Sequence, residues 1–451
     1  MSTQNRREYL TTTPIPKLIM TLSFPTIISM LVTGIYNTAD TFFVSRVSSN
    51  PDINTAAMAA VGLAFPVMAI IQAFGFFCGH GSGNFISRML GAEKHKEADE
   101  MASTGLALSI ILGLFFAIMG NVLLNDIVGL LGADSAQSLA FTKDYMRIIL
   151  LGAPFMMAQF VINNQLRFQG SAYYAMIGLM SGAAMNMILD PLLIWGLHME
   201  VTGAAIATVM GQITSFFVLL IGTTKGENIK LSIKKVRLNS YYRAEIANGG
   251  RPSLLRQGLA AVATLVLNLQ AGLFGNDAAI AGMSLATTIL MLMVSALIGF
   301  GQGYQPVCSF NYGAGLTGRV KEGFYFCLKY STVFLLGVGA LCYCFAPNLI
   351  ALFSEDAAAV EVAVKALRFQ CMTLFLSGPI VISNMMLQSI GKGVKASITA
   401  SARNGICFIP MILLLPRFFG ITGVEIAQPC ADVLSTIIAV PMAYSELRKF
   451  K

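Results

Sequence analysis

The sequence predicts an all-α membrane protein of twelve transmembrane helices in two related six-helix lobes. Three observations carry that expectation. Of 451 residues, 55% are hydrophobic and only 12% are charged, about half the charged fraction of an ordinary soluble domain. Apolar stretches long enough to cross a bilayer, about 20 residues each, recur twelve times. The second half of the chain also repeats features of the first at a shift of about 220 residues.

The twelve spans are expected near residues 15–45, 56–88, 102–124, 144–166, 174–197, 203–223, 253–274, 280–309, 326–346, 362–388, 396–415 and 422–445, with glycine and proline in most of the gaps. The first runs from Pro14 and Pro16 past Asp40. It is too long for a secretory signal core and has no small-residue cleavage site. Lys and Arg mark cytoplasmic loops, and with the amino terminus inside, the internal set includes Arg6, Arg7, Arg88, Lys94, Lys234, Lys235, Arg319 and Lys392. The external flanks keep Arg46, Lys143, Arg147, Lys365, Arg368 and Arg417. Both termini are therefore expected in the cytoplasm, with the chain in the cell inner (plasma) membrane. The net charge of +8 reads as this topology signal. No basic stripe interleaved with aromatics suggests nucleic acid as a partner. Eight cysteines show no metal-ligand spacing and read as packing residues.

Val61-Gly62-Leu63 corresponds to Ala281-Gly282-Met283, and Gly79-His80-Gly81-Ser82-Gly83 to Gly299-Phe300-Gly301-Gln302-Gly303, each at a shift of 220. Val201-Thr202-Gly203 meets Ile421-Thr422-Gly423 at the same shift. Six helices per repeat is an even number, so both halves enter the membrane from one side, related by a pseudo-two-fold axis along the membrane normal. The expected organisation is an amino-terminal lobe over 1–223, a cytoplasmic linker over 224–250 and a carboxy-terminal lobe over 251–451. The linker's Lys230 to Lys235 run reads as an amphipathic surface helix. The glycine runs follow no strand, so they read as close helix packing rather than a phosphate loop.

An ionisable side chain inside a spanning helix costs about 2.5 to 3.5 kcal/mol on insertion scales and is a functional candidate by default. Four acidic residues qualify: Asp40, Asp190, Glu425 and Asp432. Asp40 shares a helical face with Tyr36 and Asn37, and Asp190 follows Asn186 by four. Carboxylate, amide and hydroxyl oxygens, with Thr208 adding one from a neighbouring helix, would bind a proton or a hard cation such as Na+. The same aspartates would also serve as helix-end caps, and Pro191 suits a local break. Glu425 reads as structural. Asp432 is a possible second-lobe site, or the structural partner of Arg256 or Arg403. No nucleophile, base and orienter set points to an enzyme.

The runs Tyr36 to Val44, Gly79 to Gly83, Asn163 to Gly170, Asn186 to Pro191 and Gly203 to Thr208 together resemble the multidrug and toxic compound extrusion (MATE) family over nearly the whole chain. That resemblance implies two six-helix lobes and export of cationic or amphipathic small molecules, from within the lipid membrane, in exchange for H+ or Na+. It implies no cofactor beyond the coupling ion; the chain is expected to act as a monomer. The likeness is closest to the bacterial branch with its cation site in the amino-terminal lobe. Carried over, that site comprises Asp40, Asn186, Asp190 and Thr208, with Tyr36 and Asn163 or Asn164 nearby. The seventh, eighth and tenth segments lack the internal acids of another branch. The alternative function is a flippase for a lipid-linked oligosaccharide, whose pyrophosphate calls for several interior cations; here they are few, chiefly Arg256 and Arg403.

Overall fold

A computed structural model describes residues 3–450 apart from 132–134, 227 and 355, and leaves out the side chains of residues 3–5, 37 and 38. Among the described residues there is no strand, and twelve of the helices are long and apolar enough to span a membrane. These are α1 (Ile15–Val44), α2 (Pro51–Gly91), α3 (His95–Val122), α4 (Ala136–Phe168), α5 (Ala172–Gly196), α6 (Glu200–Thr223), α7 (Ser240–Phe274), α8 (Asp277–Gly313), α9 (Thr317–Ala351), α10 (Ala357–Ser389), α11 (Gly393–Phe419) and α12 (Ile421–Leu447). Each matches one expected span. Several begin earlier than hydropathy suggests, because polar first turns continue the helix: α3 starts with His95, Lys96 and Glu97, and α7 with Ser240, Tyr241 and Tyr242.

The chain divides into two compact units. One holds residues up to Thr12 together with Ile28–Gly250; the other holds Thr13–Ile27 with Arg251–Lys451. Helix α1 is thus shared, its first turns belonging to the second unit and the rest to the first. In the second unit, Thr26 donates to the Gly299 carbonyl at 2.6 Å and Ser23 to the Phe300 carbonyl at 3.0 Å. In the first, Arg88 donates to Glu245 at 3.0 Å, tying the start of α7 to α2. The glycine runs work as close-packing surfaces: a Cβ on Gly81 would collide with the Ile246 backbone, and one on Gly303 with Ser23.

The internal repeat is visible in matched hydrogen bonds. Asn163 donates its amide to the Ala175 carbonyl at 2.9 Å, and Asn384 donates to the Ala396 carbonyl at 2.6 Å. Each unit has its own apolar core. That of the first includes Ile71, Tyr145, Met157 and Ala205, and that of the second Met283, Leu367, Phe408 and Ala427.

The linker departs from expectation. Instead of a surface helix, Lys230 to Lys235 form mostly extended chain with a single tight turn at Ile233–Lys235. Side chains of α3 take up its backbone groups: the Ser232 amide donates to Ser103 Oγ at 3.1 Å and the Arg237 amide to Thr104 Oγ1 at 2.8 Å. Lys235 pairs with Asp99 at 2.5 Å. A helix would have satisfied those groups internally, whereas here α3 supplies the partners. From Ser240 the linker segment is already part of α7.

Candidate functional site

The site is built from α1, α4, α5 and α6 of the first unit. Helices α5 and α6 approach closely because each lacks a side chain at the crossing. A Cβ on Gly182 would sit 2.6 Å from the Gly211 carbonyl oxygen, and one on Gly211 would sit 2.8 Å from the Gly182 oxygen and 3.1 Å from Asn186 Cβ. This contact holds Asn186 against the helix that carries Thr208. One turn further along, Pro191 has no N–H to give, and the chain widens into a π-helical turn over Leu192–Gly196. Such turns re-aim side chains and recur at functional sites. They end here in a tight link with His198 and Glu200 in the left-handed region, at φ 53° and 50°.

The carboxy-terminal end of α1 is pinned to that turn. Trp195, the chain's one tryptophan, donates its indole N–H to the Arg46 carbonyl at 2.8 Å. Its ring meets Phe43 edge to face, with centroids 5.4 Å apart. Asp40, one turn before Phe43, is thereby brought toward Asp190.

Asp190 is fully buried, Asn186 is 3% exposed and Thr208 6%. The Asn186 amide donates to Asp190 Oδ1 at 3.4 Å. Among the described residues, the remaining oxygens are left without partners: Asp40 Oδ1, Asn186 Oδ1 and Asp190 Oδ2 are all buried and accept no hydrogen bond. The two carboxylates form one electrostatic group. The charge on Asp40 acts on Asp190, and both act on the phenols of Tyr36 and Tyr145. Two carboxylates this close in a low-dielectric surround repel each other, and a proton or a cation relieves them. The donor set is oxygen only, the chemistry of a hard cation.

Tyr145 is the residue that sequence reading missed. It is 1% exposed, donates its hydroxyl to Met68 Sδ at 4.0 Å, and lies beside Thr208 in the field of both carboxylates. Two expected neighbours need correction. Asn163 is committed to the Ala175 carbonyl, while Asn164 donates to the Phe160 carbonyl at 2.7 Å and accepts from Arg167 at 2.5 Å. Asn163 lies 18 residues beyond Tyr145 on α4, about 27 Å along the axis at 1.5 Å per residue. Neither amide joins the cluster. The side chain of Asn37 lies outside the described residues.

In the second unit Asp432 is engaged. Arg403 Nε donates to its Oδ1 at 2.9 Å and so does Gln428 Nε2 at 2.9 Å. The carboxylate is paired within its own unit, and its partner is Arg403 rather than Arg256. Glu425 is 2% exposed with one oxygen unpartnered, and no second acid joins it among the described residues to make a metal cluster.

The curated relatives include the multidrug export protein MepA of Staphylococcus haemolyticus, 30% identical over 442 residues that cover 97% of this chain and 95% of the relative. The MepA of Staphylococcus aureus (strain NCTC 8325 / PS 47) is 29% identical over 446 residues with the same coverage. Among solved structures, the outward-facing conformation of a multidrug resistance MATE family transporter of the MOP superfamily superposes with a TM-score of 0.90 at 27% identity, covering 98% of each chain. The MatE family profile matches residues 25–192 and 252–414, one stretch in each repeat and most of the sequence together. With twelve membrane helices, two units and near-complete correspondence to these transporters, the chain belongs to the MatE family.

Proposed function

We propose that the chain is a secondary active antiporter that exports cationic or amphipathic small organic molecules in exchange for H+ or Na+. As a MatE carrier it performs no covalent chemistry and needs no cofactor. The observation that carries the reading is the group of unpartnered oxygens on Asp40, Asn186 and Asp190, with Thr208 and Tyr145 beside them. Buried acceptors without donors are costly; a Na+ would take all three as ligands, and a proton would neutralise one carboxylate and let it donate to another of the three. Relatives named for multidrug export support the substrate class.

Coupling requires that the ion and the exported compound favour different conformations, because a ligand shifts an equilibrium only through differential affinity. The available force is about 2.3 kcal/mol per charge at 100 mV, plus about 1.4 kcal/mol per pH unit. If a monovalent organic cation leaves for each proton entering, the charges cancel and only the chemical gradient drives export. The distribution of Lys and Arg supports a plasma-membrane location with both termini cytoplasmic, and the protein works as a monomer. A pyrophosphate-bearing lipid would need several free interior cations. Of the two expected, Arg403 is already neutralised by Asp432, which disfavours the flippase alternative.

Dye efflux in inverted vesicles, driven separately by a pH gradient and by a Na+ gradient, tests the proposal. Export under at least one gradient supports it; export under neither, in vesicles that hold the protein, refutes it.

A further inference from the structure

The second unit contains a cavity of about 280 Å³ walled by α7, α8, α10, α11 and α12. Its lining is divided chemically. Leu290 and Phe408 belong to an apolar wall, whereas Arg256, Gln257, Arg403 and Asn404 bring donors. No Asp or Glu lines it among the described residues. The nearby Asp432 is taken up by Arg403 and Gln428. Arg256 is different: half-buried in the span of α7, it has no hydrogen-bond or ion-pair partner among the described residues.

A guanidinium inside a spanning helix is expensive to insert and is normally paired. The unit supplies Arg403 with an anion and leaves Arg256 without one. Charge balance therefore asks for a single negative charge from outside the chain. A guanidinium is planar and offers two parallel donors, which matches a carboxylate. The volume lies just below the usual range of about 300–1,000 Å³ for small-molecule pockets, so a one- or two-ring compound fits. Gln428, which also lines the cavity, stands at the repeat position of Thr208, 220 residues earlier. The cavity of the second unit thus shares a repeat position with the acidic site of the first, but with no acid in its lining among the described residues.

We infer that this cavity binds small amphipathic carboxylates, with Arg256 holding the carboxylate and the apolar wall covering the ring. The sequence had suggested only a structural role for Arg256. The site stands independently of the coupling ion, because no residue is shared with the acidic cluster.

The test uses the purified full chain in phosphatidylcholine nanodiscs, so that anionic headgroups do not compete. Equilibrium dialysis compares coumarin-3-carboxylate with the neutral coumarin-3-carboxamide. The parent protein is expected to bind the carboxylate roughly tenfold more tightly or better, equivalent to about 1.4 kcal/mol. Arg256→Gln should bring the carboxylate down to the affinity of the carboxamide while leaving the carboxamide unchanged, and Arg256→Lys should keep part of the preference. Equal affinities in the parent, or an undiminished preference in Arg256→Gln, would overturn the inference. If Arg256→Gln does not elute as a single species, Leu290→Trp, which fills the cavity from α8, replaces it. Carboxylate binding should then be lost, and its persistence at parent affinity would be equally fatal.

Discussion

Gly182→Ala is the smallest change that should uncouple the acidic cluster without touching any of its oxygens. The new methyl would lie 2.6 Å from the Gly211 carbonyl oxygen and 2.8 Å from Ser215 Cβ, and neither neighbour is the tip of a flexible side chain. Restoring an ordinary contact of 3.4 Å requires α5 and α6 to separate by about 0.8 Å. Functional geometries tolerate about 0.5 Å, so Asn186 and Asp190 would move out of register with Thr208. Overpacking of this kind costs about 1–3 kcal/mol, and a comparable loss in ion binding lowers affinity roughly tenfold. The assay is gradient-driven dye export in proteoliposomes, alongside the thermal unfolding midpoint in detergent. Gly337→Ala is the control, since nothing lies within 4 Å of its added Cβ; it should leave both readouts unchanged. If Gly182→Ala exports at the parent rate with parent ion dependence, the glycine crossing does not position the site.

Three further expectations come from the same structure. Arg403→Ala strands the buried carboxylate of Asp432 and should destabilise the protein by about 3–5 kcal/mol, whereas Arg403→Met combined with Asp432→Leu should recover most of that loss in the unfolding midpoint. Trp195→Phe removes the bond to the Arg46 carbonyl, worth about 1 kcal/mol. Trp195→Ala also removes the contact with Phe43, worth about 0.5–1.5 kcal/mol more, and export should fall in that order. Asn163→Ala and Asn384→Ala each remove a buried side-chain hydrogen bond to a carbonyl that its own helix also engages, at about 0.5–1.5 kcal/mol. Asn384→Ala should be the costlier, since Asn384 also bonds Thr399 at 2.9 Å, and neither should alter ion affinity in a direct binding measurement.

The parts of this molecule legible in the sequence are those with a one-dimensional physical signature. Hydropathy marks all twelve spans because lipid leaves little choice of residue. Asp40 and Asp190 stand out because a carboxylate in a span is costly. Tyr145 carries no such mark. A phenol among 13 tyrosines in an apolar helix is unremarkable until α6 brings Thr208 to it. Asn163 and Asn164 misled for the opposite reason: amides in a span attract attention, but these two satisfy backbone carbonyls and Arg167. The linker's Lys-rich run reads as a helix on the membrane surface, but its polar–apolar alternation over Lys230–Lys234 is the period of extended chain, and the hydroxyls of Ser103 and Thr104, more than 100 residues earlier, take up its amides. The division of α1 at Ile27 has one mark in the sequence, Pro25 two residues before it, but proline is tolerated within membrane helices, so it does not by itself say which residues pack where. The pairing of Asp432 with Arg403 rather than Arg256 likewise depends on where α11 and α12 meet.

The central claim is that Asp40 and Asp190 act as one ion-binding unit, and a double-mutant cycle on ion-driven export tests it most directly. Parent, Asp40→Asn, Asp190→Asn and the double variant are reconstituted at equal amounts, and cationic dye export is recorded under one imposed ion gradient. Asparagine keeps the size and removes the charge, so each variant should still insert and fold. Groups that bind one ion together lose function together. Each single variant is therefore expected to lose most of the driven export, with the double variant scarcely worse than the poorer single one. Export at the parent rate by either single variant, or losses that simply multiply, would contradict the account.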